Sequence, residues 1–170
     1  MAYRAAAAAL VCASASLGAA GPASAAGEPL ARINAFGLFE TVRAGKAEKN
    51  ERSATGELYA VVAHRLVRPG AEIVGQLGSS FGVDLRFENL PGPWATVTVR
   101  TSHPPITNPA TGRTATVSAF EWIVPLGESL YFGHAFQEMW QIAEGEWSSQ
   151  VLYRGKILAE QRFKVVVPLN

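Results

Sequence analysis

The side chains able to do chemistry are few and scattered. His64, His103 and His134 are the three histidines of the chain, and no two of them stand in a His-x-His or His-x3-His spacing. A zinc or copper site on a small exported domain needs three or four such donors converging, so the sequence predicts no metal and no other cofactor. Nucleophilic catalysis has no better footing. Cys12 and Asp84 are the sole cysteine and aspartate. Asp84 stands two residues before Arg86 on the polar face of a candidate strand, which predicts a solvated surface pair in place of a triad carboxylate. Glu121, Glu138 or Glu144 could supply an acid and a base, but any glutamate-rich chain offers such pairs by chance. No catalytic residue is assigned.

Recognition is better supplied. Trp94, Trp122, Trp140 and Trp147, with Tyr59, Tyr131 and Tyr153, exceed what the core of one small domain needs, and these residue types anchor partners. Trp122 and Trp147 fit inward positions of their strands. Trp94 opens a strand beside a proline turn, Trp140 follows the end of another, and His103 heads a proline-rich segment, 103–109. The expected ligand-binding set is therefore Trp94, His103, Tyr131 and Trp140, at a loop end where a rigid scaffold leaves side chains free. The proline-rich segment reads rather more readily as a loop made stiff only to cover an open sheet edge.

The elements that must position these residues follow a period of two from Leu30 onward, with Gly, Pro, Asn and Ser clusters between candidate strands. In Phe81 to Phe87 the odd-numbered residues are apolar and their neighbours small or charged. Trp94 to Thr101 alternates in the same way, and the Pro91-Gly92-Pro93 turn between the two predicts a hairpin. Arg32 to Val42 reads as a strand interrupted by Gly37, Arg43 to Gly56 as a long loop, and Leu58 to Leu66 as a second strand. The three prolines of His103 to Thr114 exclude a central strand there and predict an ordered excursion. Val117 to Val124, Leu130 to Phe136, and Gly145 to Tyr153 with Ile157 to Val166 complete the set, the last two as a hairpin with Ile157, Ala159, Phe163 and Val165 on one face. Seven or eight short strands without a helical segment imply an all-β, immunoglobulin-like antiparallel β-sandwich.

Ahead of the domain, Arg4 is followed by no other charge until Glu28, and the alanine-rich run Ala5 to Ala20 leads to Gly21-Pro22 and to Ala23 and Ala25 at signal-peptidase spacing. Residues 1–26 are expected to be a cleavable signal peptide and 27–170 the domain, placed in the periplasm or secreted. Cys12 would leave with the signal, so the mature chain would need no disulfide. Removing Arg4 leaves fourteen basic and fourteen acidic side chains. That balance disfavours nucleic acid, and no later stretch is apolar enough to span a membrane.

Three stretches carry a resemblance: Leu77-Gly78-Ser79-Ser80-Phe81-Gly82-Val83, the segment His103-Pro104-Pro105-Ile106, and the ending from Gly145-Glu146-Trp147 through Gly155-Lys156-Ile157-Leu158-Ala159-Glu160 to Phe163. In these the chain resembles a family of small exported bacterial proteins of unknown function with an immunoglobulin-like fold. The resemblance implies a fold and a compartment and transfers no catalytic residue. The expected role is a non-enzymatic interaction or accessory module for an envelope protein or other cell-envelope ligand. A glycan-binding sandwich and a small envelope enzyme are the alternatives. A row of exposed aromatic rings would favour sugar, an apolar patch or unpaired strand edge would favour protein, and convergent His and Glu in a cleft would favour an enzyme.

Overall fold

The structure is a computed structural model describing residues 27–168, so the expected signal peptide lies outside the described residues. Nine strands are present among them: β1 (Leu30–Lys49), β2 (Glu57–Pro69), β3 (Glu72–Val74), β4 (Ser80–Glu88), β5 (Trp94–Thr107), β6 (Thr114–Pro125), β7 (Ser129–Ala135), β8 (Gly145–Tyr153) and β9 (Lys156–Val166). They form two sheets, β2-β1-β4-β7 and β3-β9-β8-β5-β6. One short 3-10 turn, Met139–Gln141, is the sole helical element described, and no described helix is long and apolar enough to cross a membrane.

Alternation works as expected in β4, where Phe81, Val83, Leu85 and Phe87 are all buried. They meet Val97, Val99 and Val151 from the opposite sheet in one core. Trp147 on β8 is packed between the two sheets. It is 1% exposed, its indole N–H donates to the Ala143 carbonyl at 2.9 Å, and Phe81 and Phe136 meet it edge-on at 5.4 and 5.9 Å. Trp122 is half-buried against the same core.

Several local expectations are overturned. β4 and β5 do not form a hairpin: β4 pairs with β1 and β7, whereas β5 pairs with β6 and β8, so the Pro91-Gly92-Pro93 turn carries the chain from one sheet to the other. The proline-rich segment is strand up to Thr107. Pro104 and Pro105 sit in an irregularity between Ser102 and Ile106, beyond the last β5–β8 partner pair at Ser102↔Ser148, where a missing N–H breaks no ladder bond. A register shift between Val151 and Leu152 turns Ile157 outward, 44% exposed, while Phe163 and Val165 remain inside. The sandwich is also not wholly antiparallel, since the three-residue β3 pairs parallel with β9.

The largest departure is the stretch from Arg43 to Gly56. It is strand up to Lys49, paired with β2 through register shifts at Val42/Arg43 and Ala44/Glu48, and only Asn50 to Gly56 form the turn. The ribbon changes direction at Gly37, which has φ 142° and faces Pro69 on one side and Gly82 on the other. A side chain there would run into the Arg68 carbonyl, so only glycine supports the corner. Past it, the β1–β2 ribbon folds across the outer face of β4 and β7 as an arm. Phe39 of β1, 4% exposed, packs on the Tyr131 ring of β7 at 4.9 Å, and His64 of β2 stacks on the same ring at 5.5 Å. Beneath them Gly82 and Gly133 are cross-strand partners. The sheet surface is bare at this point, and Tyr131 lies over Gly133 with its hydroxyl on Ser80 at 2.9 Å.

A β-carbon on Gly82 would collide with the Phe132 carbonyl and the Gly133 α-carbon, both backbone atoms that cannot swing aside. Gly82→Ala is expected to lower stability by about 1–3 kcal/mol, and Glu146→Ala, at an exposed position, by under about 0.5 kcal/mol. Urea denaturation of the two variants checks this, and equal midpoints would contradict the close packing of the arm's footing.

Candidate functional site

The tip of the arm is tied to the far sheet. The Ala54 amide donates to the Ser118 hydroxyl on β6 at 2.9 Å, and Ser118 Oγ lies 3.2 Å from His103 Nε2. His103 Nδ1 donates to the Pro104 carbonyl at 2.8 Å. That donation fixes the tautomer, so Nε2 accepts the serine proton. Around this relay the Ala119 amide donates to the Arg52 carbonyl at 3.0 Å, the Asn50 side chain donates to the Ala119 carbonyl at 3.2 Å, and Asn108 donates to the Thr55 carbonyl at 3.0 Å. The Arg113 guanidinium holds the Glu51 and Ser53 carbonyls. Ala54 itself is 1% exposed.

The arm thereby roofs the open side of the sandwich, where β7 ends one sheet and β6 the other. Beneath it run two adjoining hollows. One, about 700 Å³ and open to solvent, has a polar lining that includes Arg43, Glu57, Tyr59, Thr101 and Gln137. Arg43 lies over the Tyr59 ring at 4.7 Å, and the Tyr59 hydroxyl donates to Glu57 at 3.2 Å. The other, about 500 Å³ counting its opening to solvent, is mostly apolar and lies between the 58–61 stretch of β2, Phe120 and Trp122 of β6, and the 130–133 stretch of β7. Such a place can bind, since apolar walls and a few fixed polar groups provide area and orientation.

The Ser-Asp-His cluster around Asp84 is arranged as a clamp. Asp84 does not pair with Arg86, which is bound to Glu88 at 2.8 Å. Instead the folded arm brings His64 Nε2 to Asp84 Oδ2 at 2.7 Å, while Asn34 at 3.0 Å and the Ser129 hydroxyl donate to Oδ1. Partial burial opposes ionisation of Asp84, but the hydrogen bonds from Ser129, His64 and Asn34 outweigh it and hold the carboxyl below its usual range. A serine, an aspartate and a histidine are thus together, but the carboxylate is in the middle. The serine proton faces an acceptor far too weak to make a nucleophile of it, and the imidazole does not touch the serine. The cluster clamps the arm to β4. No group of three metal-ligating side chains converges among the described residues.

The four expected contact residues are not on one surface. Trp94 is 60% exposed at the start of β5. His103 is buried at 6% and serves the arm relay, so it is no surface contact. Tyr131 is covered by the arm, and burial pushes its hydroxyl pKa well up despite the Ser80 hydrogen bond. Trp140 packs half-buried against the core from the 3-10 turn. The sequence reading missed the residues that accompany Trp94: Ile123 on β6, 65% exposed, and Leu126 just beyond, 40% exposed. The signal for Ile123 was present in its strand, where it alternates out of phase with Phe120, Trp122 and Val124.

The chain matches a family model described as a domain of unknown function (DUF3859) over residues 28–165, and it belongs to that family. A crystal structure of an immunoglobulin-like protein from Pseudomonas aeruginosa superposes with a TM-score of 0.60 at 20% identity, covering 84% of this chain and 99% of that one. That likeness shows the fold. A search of curated proteins found no match.

Both histidines under the arm resist protonation. Their rings flank Trp147, His134 at 4.9 Å and His103 at 5.0 Å. Burial pushes His103 below its usual pKa against the pull of the Pro104 carbonyl. His134 Nε2 is shut off from solvent without a partner, and burial, aided by the Arg43 charge and by the nearness of His103, takes its pKa from 6.5 to about 3. A lowered folded-state pKa means that the unfolded chain binds the proton more readily, so stability is complete above pH 6.5 and declines as pH falls towards about 3. Asp84 adds its own loss only below about pH 4, the ordinary aspartate range. Urea midpoints measured between about pH 6.5 and about pH 4.5 should fall steadily in the parent and much less in His134→Leu. Parallel pH profiles would contradict the burial of His134.

Proposed function

We propose that this chain is an exported, non-enzymatic interaction module that binds a partner protein on the side where β6, β7 and the arm meet. The observation that carries the reading is an unpaired strand edge beside an exposed apolar patch. Trp94 and Ile123 occupy diagonal positions on the outer face of the β5–β6 pair, given by Thr96↔Ile123 and Trp94↔Pro125, close enough for an aromatic and an aliphatic side chain to act together. Leu126 extends the patch, its amide bonded to the Pro93 carbonyl at 3.0 Å. Exposed β-edges flanked by large apolar residues invite pairing unless charge or proline blocks them.

A glycan platform is supported less. It needs several exposed rings in a row, and among the described tryptophans Trp94 alone is mostly exposed. An enzyme is supported less again, because the one cluster of Ser, Asp and His has its carboxylate between the other two. Export rests on the N-terminal pattern of charge, apolar run and small residues.

Cross-linking in native envelope preparations tests the proposal. Ile123→Lys and Trp94→Ala should keep the parent's melting temperature within about 2 °C, as surface changes do, and should lose the parent's cross-linked protein species. If both stable variants retain every species, the interaction surface is elsewhere and the reading falls.

A further inference from the structure

Resting on that reading, the geometry of β6 points further, to the chemistry of the partner. Residues along an antiparallel strand direct their peptide groups to one neighbour and then the other in alternation. The Ala119 amide donates to Arg52 of the arm, so at Ala119 the backbone of β6 faces away from β5. The β5–β6 register runs without irregularity from Trp94↔Pro125 to Ser102↔Val117. Glu121, Ile123 and Pro125 therefore face the same open side as Ala119. Proline has no N–H, which ends the usable edge. Between the arm and Pro125, the N–H and C=O groups of Glu121 and Ile123 have no backbone partner on that side among the described residues. This is a window for one short extended segment.

The walls of the window differ. On the inner side Phe120 and Trp122 face the apolar hollow of about 500 Å³ shared with β2 and β7. On the outer side are Ile123 and Glu121, the latter 64% exposed and 3.9 Å from Arg52. We propose that the window takes an extended segment of a partner protein as an added β-strand, bonded through its main chain to Glu121 and Ile123. An inward apolar side chain of that segment enters the hollow beside Trp122. Outward, an apolar residue lies against Ile123, and a basic residue two positions away lies against Glu121, the pairings that stabilise adjacent strands. The arm shows that the edge accepts main chain, since Arg52 already pairs with the preceding position. A second copy fits less well. Two β6 edges paired antiparallel about Trp122 would set Ile123 of one copy against Glu121 of the other, an apolar side chain against a carboxylate.

The probe is a phage-displayed library of random linear peptides panned against the folded chain, followed by amide hydrogen exchange with each enriched peptide. The expected result is enrichment of sequences with apolar residues at alternate positions and a basic residue in phase, with slowed exchange at Glu121 and Ile123. Ile123→Pro, which removes one edge N–H without touching the β5 ladder, should weaken binding about tenfold or more. Ala60→Trp, which fills the hollow, should weaken peptides with a large inward side chain and spare those with alanine there. Protection at other amides, or unchanged affinity of Ile123→Pro with an unchanged melting temperature, would overturn strand addition and leave the wider proposal standing. Failure of any peptide to enrich overturns it as well, as does concentration-dependent dimerisation that protects the same two amides. Loss of strand addition together with retained cross-links in Ile123→Lys and Trp94→Ala would remove both readings.

Discussion

The amide of Ala54 donates to the hydroxyl of Ser118, and that hydroxyl donates to a buried, uncharged histidine. Much of the molecule hangs on this relay. It joins the tip of a ribbon from one sheet to the edge strand of the other, across the side that two open sheets would leave unprotected. Each donor has one acceptor only while His103 stays neutral. A protonated ring would need an acceptor at Nε2, and Ser118 would have to give up donating to provide one. Burial of His103 beside Trp147 is what disfavours that charge.

The relay can form because the backbone allows the arm to reach so far. Gly37 supplies a corner that no residue with a β-carbon could occupy, and Gly82 and Gly133 remove the side chains that would hold the arm off the sheet. Phe39, Tyr131, His64 and Asp84 then make a small second core on the outside of β4 and β7, half apolar and half hydrogen-bonded. Buried polar groups of this kind specify one arrangement where they are satisfied. Asp84 is satisfied by three partners from three other strands. By covering the β7 face and pairing main chain to main chain with β6 at Ala119, the arm also sets the length of edge left free. The closure of the open side and the edge proposed for binding are thus set by one piece of chain.

How much of this was legible in the sequence depends on the range of the interaction that decides each feature. The faces of β4, the inward Trp147, the β8–β9 hairpin and the sandwich itself follow from alternation and turn residues a few positions apart. The arm does not. Arg43 to Lys49 is charged and small because it lies on a ribbon with much of its surface in water, and a strand without a buried face carries no period to read. The β4–β5 pairing was inferred from adjacency, but a proline turn can as well hand the chain to the other sheet. Asp84 looked like a partner for Arg86 because both lie on one strand, yet its partners come from residues 34, 64 and 129, the first and last brought to it by its neighbouring strands β1 and β7 and His64 by the folded arm. Trp94 was legible as an exposed ring. Its companion Ile123 was legible by the same alternation, out of phase with Phe120, Trp122 and Val124, but its place beside Trp94 depends on the β5–β6 register.

The central claim is that Ser118 pins the arm over the open side, and amide hydrogen exchange at Ala54 reads that bond directly. In the parent, Ala54 should exchange far more slowly than an open amide, because its donor is engaged and buried. In Ser118→Ala, exchange at Ala54 and along the tip from Asn50 to Gly56 should accelerate about tenfold or more, as losing roughly 1–3 kcal/mol at a buried donor implies, while Val83 and Val151 in the main core keep their protection. Unprotected exchange at Ala54 in the parent, or unchanged exchange in the variant, would contradict the account.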